Sequence, residues 1–379
     1  MSGYIPAFLR VSTIERRAEH LSDPIERLRY LRKATAVSSP RRSPRSWILA
    51  STVILGVLSW RSDAIVRPAP APSPVRHFGP VVLPPSKNPN VWPVEQTSDY
   101  DLYSNGLRID NRLAVSNESR SYRPIDRESG APGPDSTQPA GIVFHTSESD
   151  QLPFERAEKD GLRRIGQELL LYVRNKRAYH FMIDRFGQVH RIVVESDEAF
   201  HAGHSVWADA KWAYVDLNQS FLGVVFEARM RPDQEIITEA QLRAARALIE
   251  MLRAKYHIAA QNCVTHAQVS VNPASWRIGW HTDWGAGFPF REVGLPDNYG
   301  IPIPSLYLFG FVYDQTYKAV TGAPLWQGLA IADEQVREAA AEHGLTPAEY
   351  RKILRQKFKE AVVRGAERNA DQEIEHESN

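Results

Sequence analysis

GIVFHTSESD, residues 141–150, is the stretch on which the reading of this chain turns. Ile142, Val143 and Phe144 form an apolar run that stops at His145, and polar residues follow at once. A run of this length reads as a buried central strand. A histidine at its end is either a core ring with its hydrogen bond satisfied or a metal ligand facing a cleft. Which of the two applies depends on whether further ligands occur elsewhere in the sequence.

Downstream of this strand, residues 155–177 carry Leu162, Ile165, Leu169 and Val173 near helical spacing. AYHFMID, DRFG and QVHRIVV then read as strand, turn and strand, a hairpin. FLGVVFEA is another apolar strand, and residues 238–257 form an amphipathic helix that Thr238 can cap. Strands alternating with helices predict an α/β fold, a central mixed β-sheet flanked by helices. Beyond residue 296 the aromatic run at 307–313 is too short to span a membrane and is expected to pack two terminal helices onto this domain.

Upstream, the pattern differs. Residues 1–45 are a basic tail, and residues 46–60, SWILASTVILGVLSW, carry no charge. A helix of that length rises about 22 Å, against about 30 Å of hydrocarbon. Trp47 and Trp60 nevertheless flank it as interfacial aromatics do, and the arginines before it place the N-terminus in the cytoplasm. A single-pass signal anchor in the cell membrane is expected, with the remainder on the outer side. The alternative is a secreted protein released at Ser62-Asp63-Ala64. The proline-rich stretch that follows extends to about residue 135 as a linker, of which residues 105–115 are candidates to pack on the next domain.

Bulk properties narrow the chemistry. The 379 residues allow one large domain with appendages, and 42% hydrophobic with 24% charged residues is a globular composition. A net charge of +1 gives no electrostatic basis for nucleic acid as a partner. Cys263 is the only cysteine, so intrachain disulfides and cysteine-based zinc clusters are excluded. Any metal site must draw on His, Asp or Glu. His145, His266 and Asp283 would supply three ligands from separated segments, although twelve histidines allow many other combinations.

Four motifs in order make the sequence recognisable: GIVFHTS; AYHFMIDRFGQVHRI with FHAGH; NQSFLGVVFEA; and, after a helix, VTHAQV with TDWGAGFPF. Together these resemble the zinc-dependent N-acetylmuramoyl-L-alanine amidases, the family that includes phage-type amidases and the peptidoglycan recognition proteins. The resemblance implies the peptidoglycan-recognition/amidase fold over residues 136–295 and a helical extension over 296–379. It implies a Zn2+ ion held by His145, His266 and Asp283, with Tyr179 beside the metal. It places His281 where a catalytic lysine is usual, and an imidazolium acting there would tie activity to pH below about 6.5. The family's proline after the third ligand is here Trp284, and the segment between His266 and Asp283 is longer than usual, which keeps His281 open as the third ligand. A glutamate that some members carry falls on Val225, with Glu227 two residues on and on the same side of a strand.

The reaction implied is hydrolysis of the amide between N-acetylmuramic acid and L-alanine in peptidoglycan, by a monomer tethered to the membrane. The alternative is a non-catalytic muropeptide-binding module; members of that kind usually lack an acid or cysteine at the third ligand position. His180 and His201 are expected to brace the site, and His190 and His204 to lie on the surface. Trp207, Trp212, Trp276, Trp280 and Trp284 are candidates for either a glycan groove or the core.

Overall fold

The computed structural model describes residues 90–230, 237–321 and 326–377. The basic tail and the apolar run at 46–60 lie outside the described residues. Among those described, no helix is long and apolar enough to cross a membrane.

In chain order the elements begin with β1 (Pro93–Gln96), β2 (Tyr100–Tyr103), β3 (Arg108–Asp110), β4 (Ile125–Asp126) and β5 (Gly141–Thr146). Helix α1 (Lys159–Asn175), β6 (Phe181–Ile183), β7 (Val189–Arg191), β8 (Val206–Ala208) and β9 (Trp212–Val215) follow. Next come α2 (Leu217–Ser220), β10 (Phe221–Phe226), α3 (Glu239–Tyr256), β11 (Cys263–Thr265) and the single turn α4 (His266–Val269). A small hairpin, β12 (Val271–Asn272) and β13 (Arg277–Ile278), precedes four C-terminal helices: α5 (Pro304–Phe309), α6 (Gln315–Val320), α7 (Gln327–Glu342) and α8 (Pro347–Glu377).

The main sheet has eight strands in the order β1-β2-β3-β7-β6-β10-β5-β11. It is mixed, as expected: β6, β10, β5 and β11 run parallel, while the β6–β7 hairpin and the β1–β2–β3 meander are antiparallel. All six residues of β5 are buried, because parallel neighbours flank it on both edges and helices cover both faces. Its first residue must be glycine: a Cβ on Gly141 would sit 2.0 Å from the Phe221 ring and 2.4 Å from the Asn262 carbonyl oxygen.

The alternation along β5 and β10 sorts residues to the two faces. Phe144, Leu222, Val224 and Phe226 join Leu248, Ile249 and Leu252 of α3 in one core. Val225 points the other way, to Met182 and to Leu170 and Val173 of α1. Helix α3 starts with a full capping box, in which Thr238 accepts from the Gln241 N–H and the Gln241 side chain accepts from the Thr238 N–H. Cys263, in edge strand β11, is buried, and burial pushes its thiol up to about 12.

One sequence-based boundary needs correction. The linker expected at 61–135 ends far earlier: β1, β2 and β3 fall inside it, and β3 pairs with β7 through Ile109 and Val189. Residues 105–115 do pack on the domain, with Leu107 and Ile109 buried. These strands are held by charge as well as by apolar area. The Arg191 guanidinium of β7 bonds Asp101 of β2 and Glu195, and Lys255 of α3 reaches Glu195 as well. Strands of three or four residues with such polar content present no apolar run to read, which is why composition assigned them to a spacer. Beyond residue 295 the helical extension packs onto the domain, as expected. Its Ile303, Leu306, Phe309, Phe311 and Phe358 pack with Val143, Val264 and Val269 of the sheet side.

Candidate metal centre

Three donors converge where β5, α4 and the loop after β13 meet. His145 is the fifth residue of β5 and pairs across the sheet with Val225, so its side chain lies on the α1 side. His266 is the first residue of α4, immediately past β11, and its capping box with Thr265 and Gln268 fixes the turn. Asp283 comes from the loop beyond β13, and its backbone carbonyl accepts the Ala267 N–H at 3.2 Å. One donor atom from each of His145, His266 and Asp283 lies within 4.8 Å of the others. Neither His281 nor Glu227 belongs to that group.

Hydrogen bonds on the outer side of the rings decide which nitrogens face inward. His201 Nε2 stands 3.2 Å from the Phe221 carbonyl, an acceptor, so Nε2 must carry the proton. His201 Nδ1 is then a lone pair, and His145 Nε2, 3.1 Å away, must donate to it. His266 Nε2 donates to the Ala202 carbonyl at 3.3 Å. Both rings therefore turn a bare Nδ1 inward, as outer hydrogen bonds on ligating histidines characteristically do. The Asp283 carboxylate meets them, with Oδ2 3.2 Å from His145 Nδ1 and Oδ1 2.9 Å from His266 Nδ1.

This geometry suits a small divalent cation. Nitrogen and oxygen donors about 2.0–2.1 Å from a tetrahedral zinc lie about 3.3 Å apart. Two imidazole nitrogens and a largely buried carboxylate face one another, and a cation between them would satisfy all three. Burial and the neighbouring His266 push His145 down to about 4, so it is neutral at ordinary pH. Burial opposes the charge on Asp283, yet the His266 and His145 rings hold its carboxyl well below the usual carboxylate range. Two histidines and an acid form a donor set typical of zinc.

The remaining candidates surround this cluster. The Tyr179 ring lies 5.0 Å from the His145 ring, and its backbone is left-handed at φ 66°, a conformation uncommon for a bulky residue. Burial and the charge of Asp283 raise the Tyr179 phenol, so it stays protonated. His281 stacks face to face on His266 at 4.6 Å and 16°, and its N–H donates to Ser270 Oγ. Burial and His266 push His281 down to about 4, so it is a neutral imidazole at neutral pH and not the fixed cation that a lysine would be. Glu227 is buried one residue beyond β10. Its carboxylate accepts the Arg185 N–H at 3.1 Å and lies beside Gly166 of α1.

The longer segment between His266 and Asp283 has a structural use: it forms the β12–β13 hairpin. Trp284 has φ 56°, which proline cannot adopt, so a proline there would require a different loop path. Trp284 and Trp207 are fully buried and belong to the core, and Trp276 packs on Phe311 and Phe358. Trp280, 52% exposed, stands edge-on to His281 at 6.5 Å. His190, expected on the surface, is buried between Asp184 and Asp110. His180 does brace the site. It accepts the Gly223 N–H, its ring lies 5.8 Å from His201, and the buried Arg120 guanidinium sits 2.7 Å from its Nε2. Arg120 also donates to the carbonyls of Glu195 and Asp197, a role no local sequence signal announces.

The fold and this cluster define an α/β domain with a three-donor centre of the metal-ligating type. Residues 135–286 match the family model described as N-acetylmuramoyl-L-alanine amidase, a family of enzymes. Solved structures similar to the chain include the N-acetylmuramoyl-L-alanine amidase LysC from Clostridium intestinale, 19% identical over 49% of this chain and 93% of that one, TM-score 0.27. They also include AmpDh3 from Pseudomonas aeruginosa, 18% identical over 48% of this chain and 80% of that one, TM-score 0.33. AmiD from E. coli, solved with anhydro-N-acetylmuramic acid-L-Ala-D-gamma-Glu-L-Lys, is 19% identical over 52% of this chain and 65% of that one, TM-score 0.30. A search of curated proteins finds no match.

Proposed function

We propose that this domain is a zinc hydrolase that cuts the amide between the lactyl group of N-acetylmuramic acid and L-alanine in peptidoglycan. The observation that carries the reading is the convergence of His145 Nδ1, His266 Nδ1 and the Asp283 carboxylate. These three would hold the ion. A bound zinc supplies Lewis acidity to the scissile carbonyl and to the attacking water. The chain's own groups do the rest. His201 and the Ala202 carbonyl keep both ligand rings in the tautomer that leaves Nδ1 free. Tyr179, held protonated beside His145, is placed to donate to the developing oxyanion, a contribution of about 3–4 kcal/mol where such donors have been removed. Neutral His281 offers one ring nitrogen as donor and the other as acceptor, which suits it to carry a proton toward the leaving amine. Trp280, the exposed indole next to His281, is a surface on which a sugar face can stack.

The test is metal analysis of the full chain followed by digestion of purified sacculi, scoring new L-alanine amino termini. About one zinc per chain and new termini are expected, with both lost in His145→Ala. Zinc present and sacculi bound but never cut would favour the non-catalytic binding module.

The apolar run at 46–60, with arginines before it and prolines after it, supports a membrane-anchored enzyme acting on the wall side. Deleting residues 46–60 is expected to move the protein from the membrane fraction to the soluble one. An unchanged distribution would remove the anchor.

A further inference from the structure

Beyond residue 286, where the family match ends, the C-terminal helices reach back to the two segments that carry His266 and Asp283. Tyr317 of α6 is 3% exposed, and its hydroxyl donates to the Ala267 carbonyl at 2.6 Å, one residue past His266. Trp326, at the start of α7 and 5% exposed, donates its indole N–H to the Gly285 carbonyl at 3.1 Å, two residues past Asp283. The hairpin between the two ligands is pinned as well. Ile278 donates to the Val312 carbonyl and Val312 to the Trp276 carbonyl, both at 2.9 Å. Gly279, at φ 73°, lies so close to Tyr317 that a Cβ would meet its ring at 2.1 Å.

We infer that Tyr317 and Trp326 are positioning residues of the metal centre, and that the C-terminal helices set its zinc affinity by fixing the backbones of the second and third ligands. This rests on the zinc reading above. The physical reason is preorganisation. Two of the three donors come from a one-turn helix and an irregular loop, which have little stiffness of their own. His145, by contrast, sits in a strand paired on both edges. Donors that must be gathered on binding lower the affinity, and removing an outer partner of a ligand typically weakens metal binding about 10–100-fold. Tyr317 and Trp326 act one peptide further out, so an effect at the lower end of that range is expected.

The experiment measures zinc dissociation constants of the full chain by competition with a chromophoric chelator, alongside thermal unfolding of the metal-free protein. Tyr317→Phe removes one oxygen and keeps the ring. It should weaken zinc binding about 10-fold, lower metal-free stability only by the loss of one buried hydrogen bond, and recover the wild-type kcat at saturating zinc. Trp326→Phe should act in the same direction. Arg277→Ala, which removes the exposed pair with Asp314 from the same extension, serves as the control and should leave zinc affinity unaltered. Wild-type affinity in both Tyr317→Phe and Trp326→Phe would overturn the inference while leaving the zinc reading intact. A wild-type chain that binds no zinc would overturn both.

Discussion

The segment that matches the family model and the segments on either side of it are built on different principles. All three converging donors lie within residues 135–286: His145 in β5, His266 just past β11 and Asp283 in the loop beyond β13. Outside it, β1–β3 and the C-terminal helices contribute none of the three donors, yet both enter the main body of the protein. The N-terminal strands do so through an ion network on β7, and the C-terminal helices through an aromatic core under the β12–β13 hairpin. The contrast teaches that the part carrying the chemistry and the part sufficient for its geometry have different boundaries.

The strongest challenge to that view is at Phe358. Its buried ring packs on Trp276, Phe309 and Phe311. Phe358→Ala should destabilise the protein by about 3–5 kcal/mol. Zinc release and the change in tryptophan fluorescence should share one midpoint in denaturant. A centre that keeps its zinc after the helices have melted would separate the two regions.

The N-terminal side predicts a smaller effect that depends on pH. Burial opposes the Glu195 carboxylate, but Arg191 and Lys255 overcome it and hold its pKa below the ordinary value. With the folded pKa under the unfolded value of about 4.3, the contribution is complete above that pH and is lost as pH falls through the folded value. Glu195→Gln should cost about 2 kcal/mol at pH 7 and flatten the acid limb of the stability curve below pH 4. An acid limb identical to the wild type would show that β1–β3 are held by apolar burial alone.

The sheet and its helices were legible in the sequence because their signals are local. A continuous apolar run marked β5 and β10, and a capping box with helical spacing marked α3. The two histidines of the cluster were legible because each follows such a run. Asp283 over His281 was not, since two residues in an irregular loop carry no periodicity, and only the fold shows that His281 stacks on His266 instead of joining the cluster. The β1–β3 strands were hidden by their brevity and by charges whose partners lie far along the chain, such as Asp101 with Arg191. Arg120 was hidden for the same reason: its carbonyl partners at Glu195, Asp197 and Gln219 come together only in the folded chain.

Cys263 gives the molecule a reporter of its own. As the sole thiol, sealed in the edge strand three residues before His266 and held protonated, it should resist alkylating reagents while the native state persists. Pulse labelling at this one sulfur would therefore time the opening of β11, and with it the first loosening of a ligand, without any engineered probe.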